Sequence, residues 1–291
     1  MMKRLLPLAL LCLAPLPASA NSSTAGFSNE GLKLLKTERI RMASEDLLVS
    51  ATRIRVRYVF ENLTAEPIKT LVAFPFPAVD ALAETDVSEA SGFQVTLGGT
   101  PQKTRKETVY LVRGKRLRDK ASYEALLDKE LARRDGDEGP TRGFTASTQD
   151  LEVWEQVFPP GKGPEVEITY TPSVGGDLGW DKETYRGQTR KSFCIDGGTT
   201  KALDKMMSTS GGQGAEQSAH GSRYKTLSYV LMTGNNWAGP IGQFHLTVEK
   251  ETPDSVLSTC TEGLKKTSPV RFELTRTDFQ PDKDLKLIFF L

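Results

Sequence analysis

Apolar and polar residues alternate along much of the chain, a pattern typical of β-strands with one buried face. Within 53–60, the side chains of Ile54, Val56, Tyr58 and Phe60 fall on one face, and arginines occupy the other. The same criteria predict strands at 53–60, 68–74, 92–98, 108–113, 151–158, 165–170, 190–195, 224–232, 243–249, 270–274 and 285–291. Many short strands separated by turn signals predict a mainly β fold of antiparallel sandwiches.

One segment shows helical spacing instead. Its apolar residues recur at intervals of three and four, namely Tyr123, Leu126, Leu127 and Leu131. Asp119 or Ser122 can cap the start of this helix, and the Gly- and Pro-containing residues 134–140 end it. The pattern therefore predicts one short helix inserted among the strands.

A change in composition suggests a division of the chain. Residues 171–179 are rich in Gly and Pro, and strand signals resume beyond them. A chain of 291 residues is long enough for two ordinary domains. We therefore expect two antiparallel β-sandwich domains, at 21–175 and 176–291, with the helix in the first.

The first twenty residues have the three parts of a secretory signal peptide. Lys3 and Arg4 form a positive start, the apolar run 5–13 follows, and Ala18-Ser19-Ala20 supplies small residues for cleavage. We expect cleavage after Ala20 and a periplasmic or secreted protein. The apolar run is shorter than a membrane-spanning helix, and no later segment of the mature chain predicts a transmembrane span.

Cleavage changes the charge and the cysteine count. The full chain has 38 Lys and Arg against 37 Asp and Glu, a net charge of +1 that becomes −1 when Lys3 and Arg4 are removed. Removing Cys12 leaves Cys194 and Cys260, an even pair in an oxidising compartment. We expect a disulfide between them, with two buried thiols as the alternative.

The overall composition excludes several classes of function. A near-neutral chain has no general electrostatic attraction for nucleic acid. It contains only 2 His, and neither His220 nor His245 has a second histidine at metal-ligand spacing. We therefore predict no catalytic residue, metal site or cofactor.

A run of cations is the most unusual charge feature. It contains Lys103, Arg105, Lys106, Arg113, Lys115, Arg116, Arg118 and Lys120, with Glu107 and Asp119 as the acidic residues among them. Such a run can meet an anionic component of the cell envelope. The alternative is a solvated face whose charges are balanced by acidic residues elsewhere.

Glycan hydrolysis is an alternative function, because a glycosidase needs only two carboxyl groups for catalysis. Glu152 and Glu155 flank Trp154, an aromatic residue that can stack on a sugar. However, the two carboxylates fall on opposite faces of one predicted strand, so an ordinary strand pattern explains them more simply.

Residues 229–244 carry the pattern Y-x-L-x-T-G-x-N-W-x-G-P-I-x-x-F. This segment resembles the signature of an uncharacterised family of exported bacterial proteins, known as a domain of unknown function. The similarity extends to 45–47 and 55–62, and the family supplies no activity to carry over. Asn235, Asn236 and Trp237 fit a rigid corner between strands, and a ligand contact is the alternative.

The first half is also similar to the vault and inter-alpha-trypsin type of β-sandwich. The similar features are Asn62 in a turn, Phe74-Pro75-Phe76-Pro77, Phe93-Gln94-Val95 and Phe158-Pro159-Pro160-Gly161. In that group the domain often accompanies a metal-dependent adhesion domain. Here 86–90 lacks the last Ser of the adhesion motif, so the resemblance does not imply that role.

Together these features predict a non-enzymatic, exported binding or interaction protein. Its expected partner is a cell-envelope protein or an anionic envelope component. A cell-envelope glycan hydrolase with paired carboxylates is the alternative.

Overall fold

The structure of the protein, a computed structural model, describes residues 22–28, 31–83, 88–136, 141–176, 180–209 and 223–291. The predicted signal peptide, His220 and the first two residues of 86–90 lie outside them. The strands are β1 (Ser23–Ser28), β2 (Gly31–Leu35), β3 (Ile40–Val49), β4 (Ile54–Asn62), β5 (Ile68–Pro75), β6 (Val79–Asp80), β7 (Ser91–Leu97), β8 (Thr100–Pro101), β9 (Arg105–Val112), β10 (Lys115–Leu117), β11 (Ala146–Phe158), β12 (Gly161–Lys162), β13 (Val166–Thr171), β14 (Tyr224–Tyr229), β15 (Ile241–Glu249), β16 (Val256–Thr259), β17 (Lys265–Lys266), β18 (Arg271–Phe279) and β19 (Leu285–Phe290). The helices are α1 (Lys120–Asp135), α2 (Lys182–Arg186), α3 (Gln188–Ser192), α4 (Gly197–Thr209) and a 3₁₀ helix (Met232–Asn236).

The described strands form three sheets. The largest has nine strands, in the order β17-β18-β15-β3-β4-β13-β7-β8 with β12 beside β4. The second has seven strands, in the order β10-β9-β11-β5-β1-β2 with β6 beside β11. The third contains β14-β19-β16.

The main core lies between the nine-stranded sheet and the two smaller sheets. In β4, the apolar residues of the alternating pattern are buried, and the arginines between them are half-buried. The facing sheets contribute buried side chains that include Phe74, Phe158, Leu287 and Phe289. The predicted mainly β, sandwich-like fold is therefore confirmed.

The nine-stranded sheet joins distant parts of the chain. Strand β15 lies parallel to β3, with Gln243 opposite Ser44 and Val248 opposite Val49. A parallel pair needs a long connection, and nearly 200 residues separate these strands here. Strands from both sides of residue 175 therefore share one sheet, so the predicted domain boundary is not a boundary between sheets.

Three helices beyond the predicted one cover the outer face of the third sheet. The predicted strand at 190–195 is wrong, because α3 ends there and a turn follows. Ile195 and Leu203 pack with Ile288 and Phe290 of β19. A disulfide joins Cys194 to Cys260 and links this helical layer to the end of β16, so the expected pair is present.

The seven-stranded sheet curls until its two edge strands approach each other. Arg116 on β10 donates a hydrogen bond to the carbonyl of Leu32 on β2, although these strands are at opposite ends of the strand order. A separate small core, which includes Ala73 and Leu151, fills the inside of the curl. Arg116, a predicted ligand-binding cation, therefore has a structural role.

Candidate functional site

The hairpin of β9 and β10 carries several residues of the predicted basic run. Its turn consists of Arg113 and Gly114, whose φ angles of 51° and 70° suit a two-residue hairpin turn. Val112 pairs with Lys115 across this turn. The short turn therefore places the Arg113 and Lys115 side chains at the end of the hairpin.

The run divides into paired and unpaired cations. Four are in ion pairs, namely Arg105 with Glu107 at 3.0 Å, Lys106 with Asp150 at 2.7 Å, Arg118 with Asp119 at 3.3 Å and Lys120 with Glu124 at 3.0 Å. The side chains of Lys103, Arg113 and Lys115 form no ion pair or hydrogen bond with any residue that the structure describes. Within the predicted anion-binding run, Lys103, Arg113 and Lys115 are therefore the cations that remain for an anionic partner.

Helix α1 begins beside the hairpin and packs against it. The Asp119 carboxylate accepts a hydrogen bond of 2.8 Å from the backbone N–H of Ser122, which caps the helix as predicted. Tyr123 is buried, and its ring centroid lies 5.3 Å from that of Tyr110 on β9. These two contacts fix the first turn of the helix on the hairpin.

The buried face of α1 differs from the predicted one. Leu126 and Leu131 each remain 40% exposed, whereas Glu130 is buried. The Glu130 carboxylate accepts hydrogen bonds from the Thr141 amide at 2.8 Å and from Arg134 at 3.2 Å. Hydrogen bonds from Thr141 lower the pKa of Glu130 below its usual value, and the bond from the Thr141 hydroxyl contributes most. Glu130 is therefore a charged residue that binds Thr141, which lies beyond the end of the helix.

A groove of about 460 Å³ lies between α1, the hairpin and residues 141–144. Its apolar lining consists of Val112, Leu117, Leu126 and Phe144. Its charged lining consists of Arg113, Lys115, Lys129, Arg133 and Glu130. The four lining residues of α1 lie at positions i, i+3, i+4 and i+7, so they share one face of the helix.

Among the described residues that line this groove, positive charges predominate. Arg113 lies 5.9 Å from the Phe144 ring centroid, and Lys115 and Lys129 are exposed. The side chains of these three cations form no ion pair or hydrogen bond with the described residues. Arg133 donates to the hydroxyl of Thr141. Because Glu130 already binds Arg134 and Thr141, the groove presents an excess of cations around apolar side chains.

The corner at Asn235, Asn236 and Trp237 is occupied by contacts within the protein. The Asn235 side chain donates to the Pro281 carbonyl at 2.8 Å, and Asn236 donates to the Ser23 hydroxyl at 3.0 Å. Trp237 is only 3% exposed, and its indole N–H donates to the Ser22 carbonyl at 2.7 Å.

Aromatic contacts hold the same corner in the main core. The Trp237 ring lies 4.5 Å from Phe60 and 5.9 Å from Phe158, between ring centroids. A ligand would have to displace these contacts to reach the indole. The arrangement favours the structural interpretation of this segment.

A second groove, of about 690 Å³, lies beside β18 and the start of β19. Its lining includes four carboxylates, Glu262, Asp278, Asp282 and Asp284. Asp284 accepts hydrogen bonds of 3.1 Å from the backbone N–H groups of Leu231 and Met232. Burial raises the pKa of Asp284 above its usual value, although these hydrogen bonds oppose the shift.

The other candidate chemical groups have ordinary roles. Trp154 is buried and donates to Gln156 at 3.0 Å, while Glu155 pairs with Lys69 at 3.0 Å. His245 contacts Asp46 at 3.0 Å. In the described ranges, no group of three or more His, Cys, Asp or Glu side chains could hold a metal. No helix in that part of the chain has both the length and the apolar character required to cross a membrane.

The chain is similar to one known family and to proteins of solved structure. The profile of a domain of unknown function, DUF4424, matches residues 20–128 and 117–288. The chain belongs to the DUF4424 family. None of the curated proteins matches it. Among solved structures, a candidate nutrient-binding protein from Legionella pneumophila is 16% identical, with a TM-score of 0.46, over 92% of this chain and 72% of that one.

The DUF4424 match spans both sides of residue 175, as the nine-stranded sheet does. The predicted membership in a family of unknown function is thus confirmed at the level of the whole chain. The specific pattern at 229–244 and the similarity to the vault type stay predictions. Lys129 and Arg133 of this DUF4424 protein were not among the predicted site residues.

Proposed function

We propose that this protein is an exported, non-enzymatic binding protein of the cell envelope, and that it takes its ligand in the groove beside α1. The observation that carries the proposal is that cations without an ion pair among the described residues meet the exposed Leu126 and half-buried apolar side chains at one concave place. Neither feature alone is informative, since single exposed leucines and lysines are common on protein surfaces. Together they suit a ligand with an anionic and an apolar part.

The contrast with the rest of the basic run supports this location. Arg105, Lys106 and Arg118 have acidic neighbours that balance their charge. Arg113, Lys115 and Lys129 have no such acidic neighbour in the part of the chain that the structure describes, and all three line the groove. An anionic ligand would supply the missing partner charges.

Two features support export. The first twenty residues have the composition of a signal peptide, and the Cys194–Cys260 disulfide is of a kind that persists in oxidising compartments. The envelope is therefore the proposed location of both the protein and its ligand. Nucleic acid is not a proposed partner, because the chain as a whole is near neutral.

Native mass spectrometry tests the binding function. The purified protein is incubated with an envelope extract, separated from unbound material and weighed intact. We expect a bound small molecule that is lost in K115E/K129E and retained in K103E, a charge reversal outside the groove. A spectrum of unliganded protein in every case, or an adduct unchanged in K115E/K129E, would refute the proposal.

The groove that contains Asp284 supports a second candidate, the glycan hydrolase. Glycosidases need one carboxyl group with a raised pKa and a second carboxylate nearby, and this groove contains four carboxyl groups. Asp284→Asn tests this candidate, because an amide oxygen can still accept the Leu231 and Met232 hydrogen bonds. Release of labelled fragments from cell-wall glycan by the wild type but not by D284N would support the hydrolase. No release by either protein would refute it.

A further inference from the structure

We propose that the occupant of the groove beside α1 is a single-chain amphiphile, with an alkyl chain on the apolar lining and an anionic headgroup among the cations. This inference rests on the proposed binding function and specifies its ligand class. Four properties of the groove support this ligand class: its size, its apolar lining, its charge and the engagement of two of its side-chain acceptors.

The apolar lining comes from three separate parts of the chain. Val112 and Leu117 belong to the hairpin, Leu126 belongs to α1, and Phe144 follows the loop after the helix. A volume of about 460 Å³ lies within the range of small-molecule sites, roughly 300–1,000 Å³. An alkyl chain that covers Leu126 would remove apolar surface that is now in contact with water.

The cations lie on two sides of this apolar lining. Arg113 and Lys115 are on the hairpin, and Lys129 and Arg133 are on the helix. A carboxylate or phosphate group can accept hydrogen bonds from lysine and from arginine side chains. A cationic or neutral headgroup would leave the charges of Arg113, Lys115 and Lys129 without an ion-pair partner among the described residues.

The polar groups of the groove favour an alkyl chain over a peptide. A peptide backbone carries N–H donors that need acceptors. Two acceptors among the described lining side chains are already engaged, since Oε1 of Glu130 accepts from Thr141 and Arg134, and the Thr141 hydroxyl accepts from Arg133. An alkyl chain requires no acceptor, so it fits the lining without a desolvation penalty.

Isothermal titration calorimetry with defined probes tests the ligand class. The probes are dodecanoate, dodecyltrimethylammonium and acetate, each below its micelle concentration, together with vesicles of phosphatidylglycerol. Binding of dodecanoate, with at least about tenfold weaker binding of the other two soluble probes, is the expected result. Equal binding of dodecyltrimethylammonium or acetate would overturn the inference, as would binding of the vesicles without binding of free dodecanoate.

Two matched pairs of variants locate the site. Leu126→Ala shortens a lining side chain, whereas Leu131→Ala removes an equally exposed leucine of the same helix outside the groove. We expect about tenfold weaker dodecanoate binding in L126A and no change in L131A. Likewise, K115A/K129A should weaken binding by about tenfold and K103A should not. Equal effects within either pair would contradict the assignment.

The two proposals fail in different ways. If dodecanoate does not bind but an envelope molecule is captured in a manner that requires Lys115 and Lys129, the ligand class is wrong and the binding function stands. If nothing is captured and no probe binds, both proposals are wrong. Circular dichroism of every variant confirms that loss of binding is not loss of folding.

Discussion

The Cys194–Cys260 disulfide allows a quantitative prediction about stability. Replacing both cysteines by serine removes a cross-link between residues separated by 66 positions. The chain-entropy relation for a loop of this length gives about 4 kcal/mol of stabilisation through the unfolded state. Neighbouring contacts remain in the folded state, including the hydrogen bond of 2.9 Å from Ser258 to the Phe193 carbonyl. We therefore expect C194S/C260S to fold and to lose about 4 kcal/mol of unfolding free energy.

Urea denaturation followed by tryptophan fluorescence measures this loss. Trp180 packs in the same helical layer as Ile195, so its emission reports on this part of the fold. Wild-type protein treated with a reductant should show the same destabilisation as the double variant. A difference below about 1 kcal/mol between oxidised and reduced protein would refute the argument that the bridge constrains the unfolded chain.

Three further predictions concern other parts of the molecule. Trp237 is buried between two aromatic rings, so Trp237→Ala should lower the unfolding free energy by about 3–5 kcal/mol. Trp237→Phe should lower it distinctly less, and urea titration measures both losses. Burial raises the pKa of Tyr185 to about 12, and the hydrogen bond to Asp204 adds to this shift. As the pH rises, the unfolded chain therefore loses the Tyr185 proton before the folded protein does. The unfolding free energy should therefore fall as pH rises from 10 to 12, and it should fall less steeply in Tyr185→Phe. Thermal unfolding at several pH values measures both slopes. N-terminal sequencing of protein recovered from the periplasm should begin at Asn21, and a start at Met1 would contradict the predicted cleavage.

The strands were the most predictable part of the fold. Ile54, Val56, Tyr58 and Phe60 alternate with polar residues, and this local pattern alone determines which face of β4 is buried. The parallel pairing of β15 with β3 could not be predicted in this way. It depends on contacts between residues almost 200 positions apart, which no local pattern contains.

The sequence contains signals for helices α2 and α4 that the prediction of strands did not use. Asp181 and Thr184 form a capping box at α2, and Asp196 accepts a hydrogen bond from the Thr199 amide at the start of α4. Leu203 and Met206 are three positions apart and pack in the same cluster. These signals are specific to helix starts, so they outweigh the short apolar run at 193–195.

The candidate site was predictable only in outline. The sequence identifies the basic run, but the partners of Arg116 and Lys106 lie on other strands: the Leu32 carbonyl accepts from Arg116, and Asp150 neutralises Lys106. Lys129 lies on the helix, outside the run, and joins the groove only through the docking of α1. The docked face of α1 includes the buried Glu130, which helical periodicity of apolar residues does not predict.

Chemical-shift mapping of the purified protein with dodecanoate tests the central claim most directly. We predict shift changes confined to the hairpin at 112–117, the groove-lining residues of α1 at 126–133, and Phe144. The same titration reports on the alternative locations, at Trp237 and at the groove containing Asp284. Shift changes centred on either of those places, or no saturable change anywhere, would contradict the account.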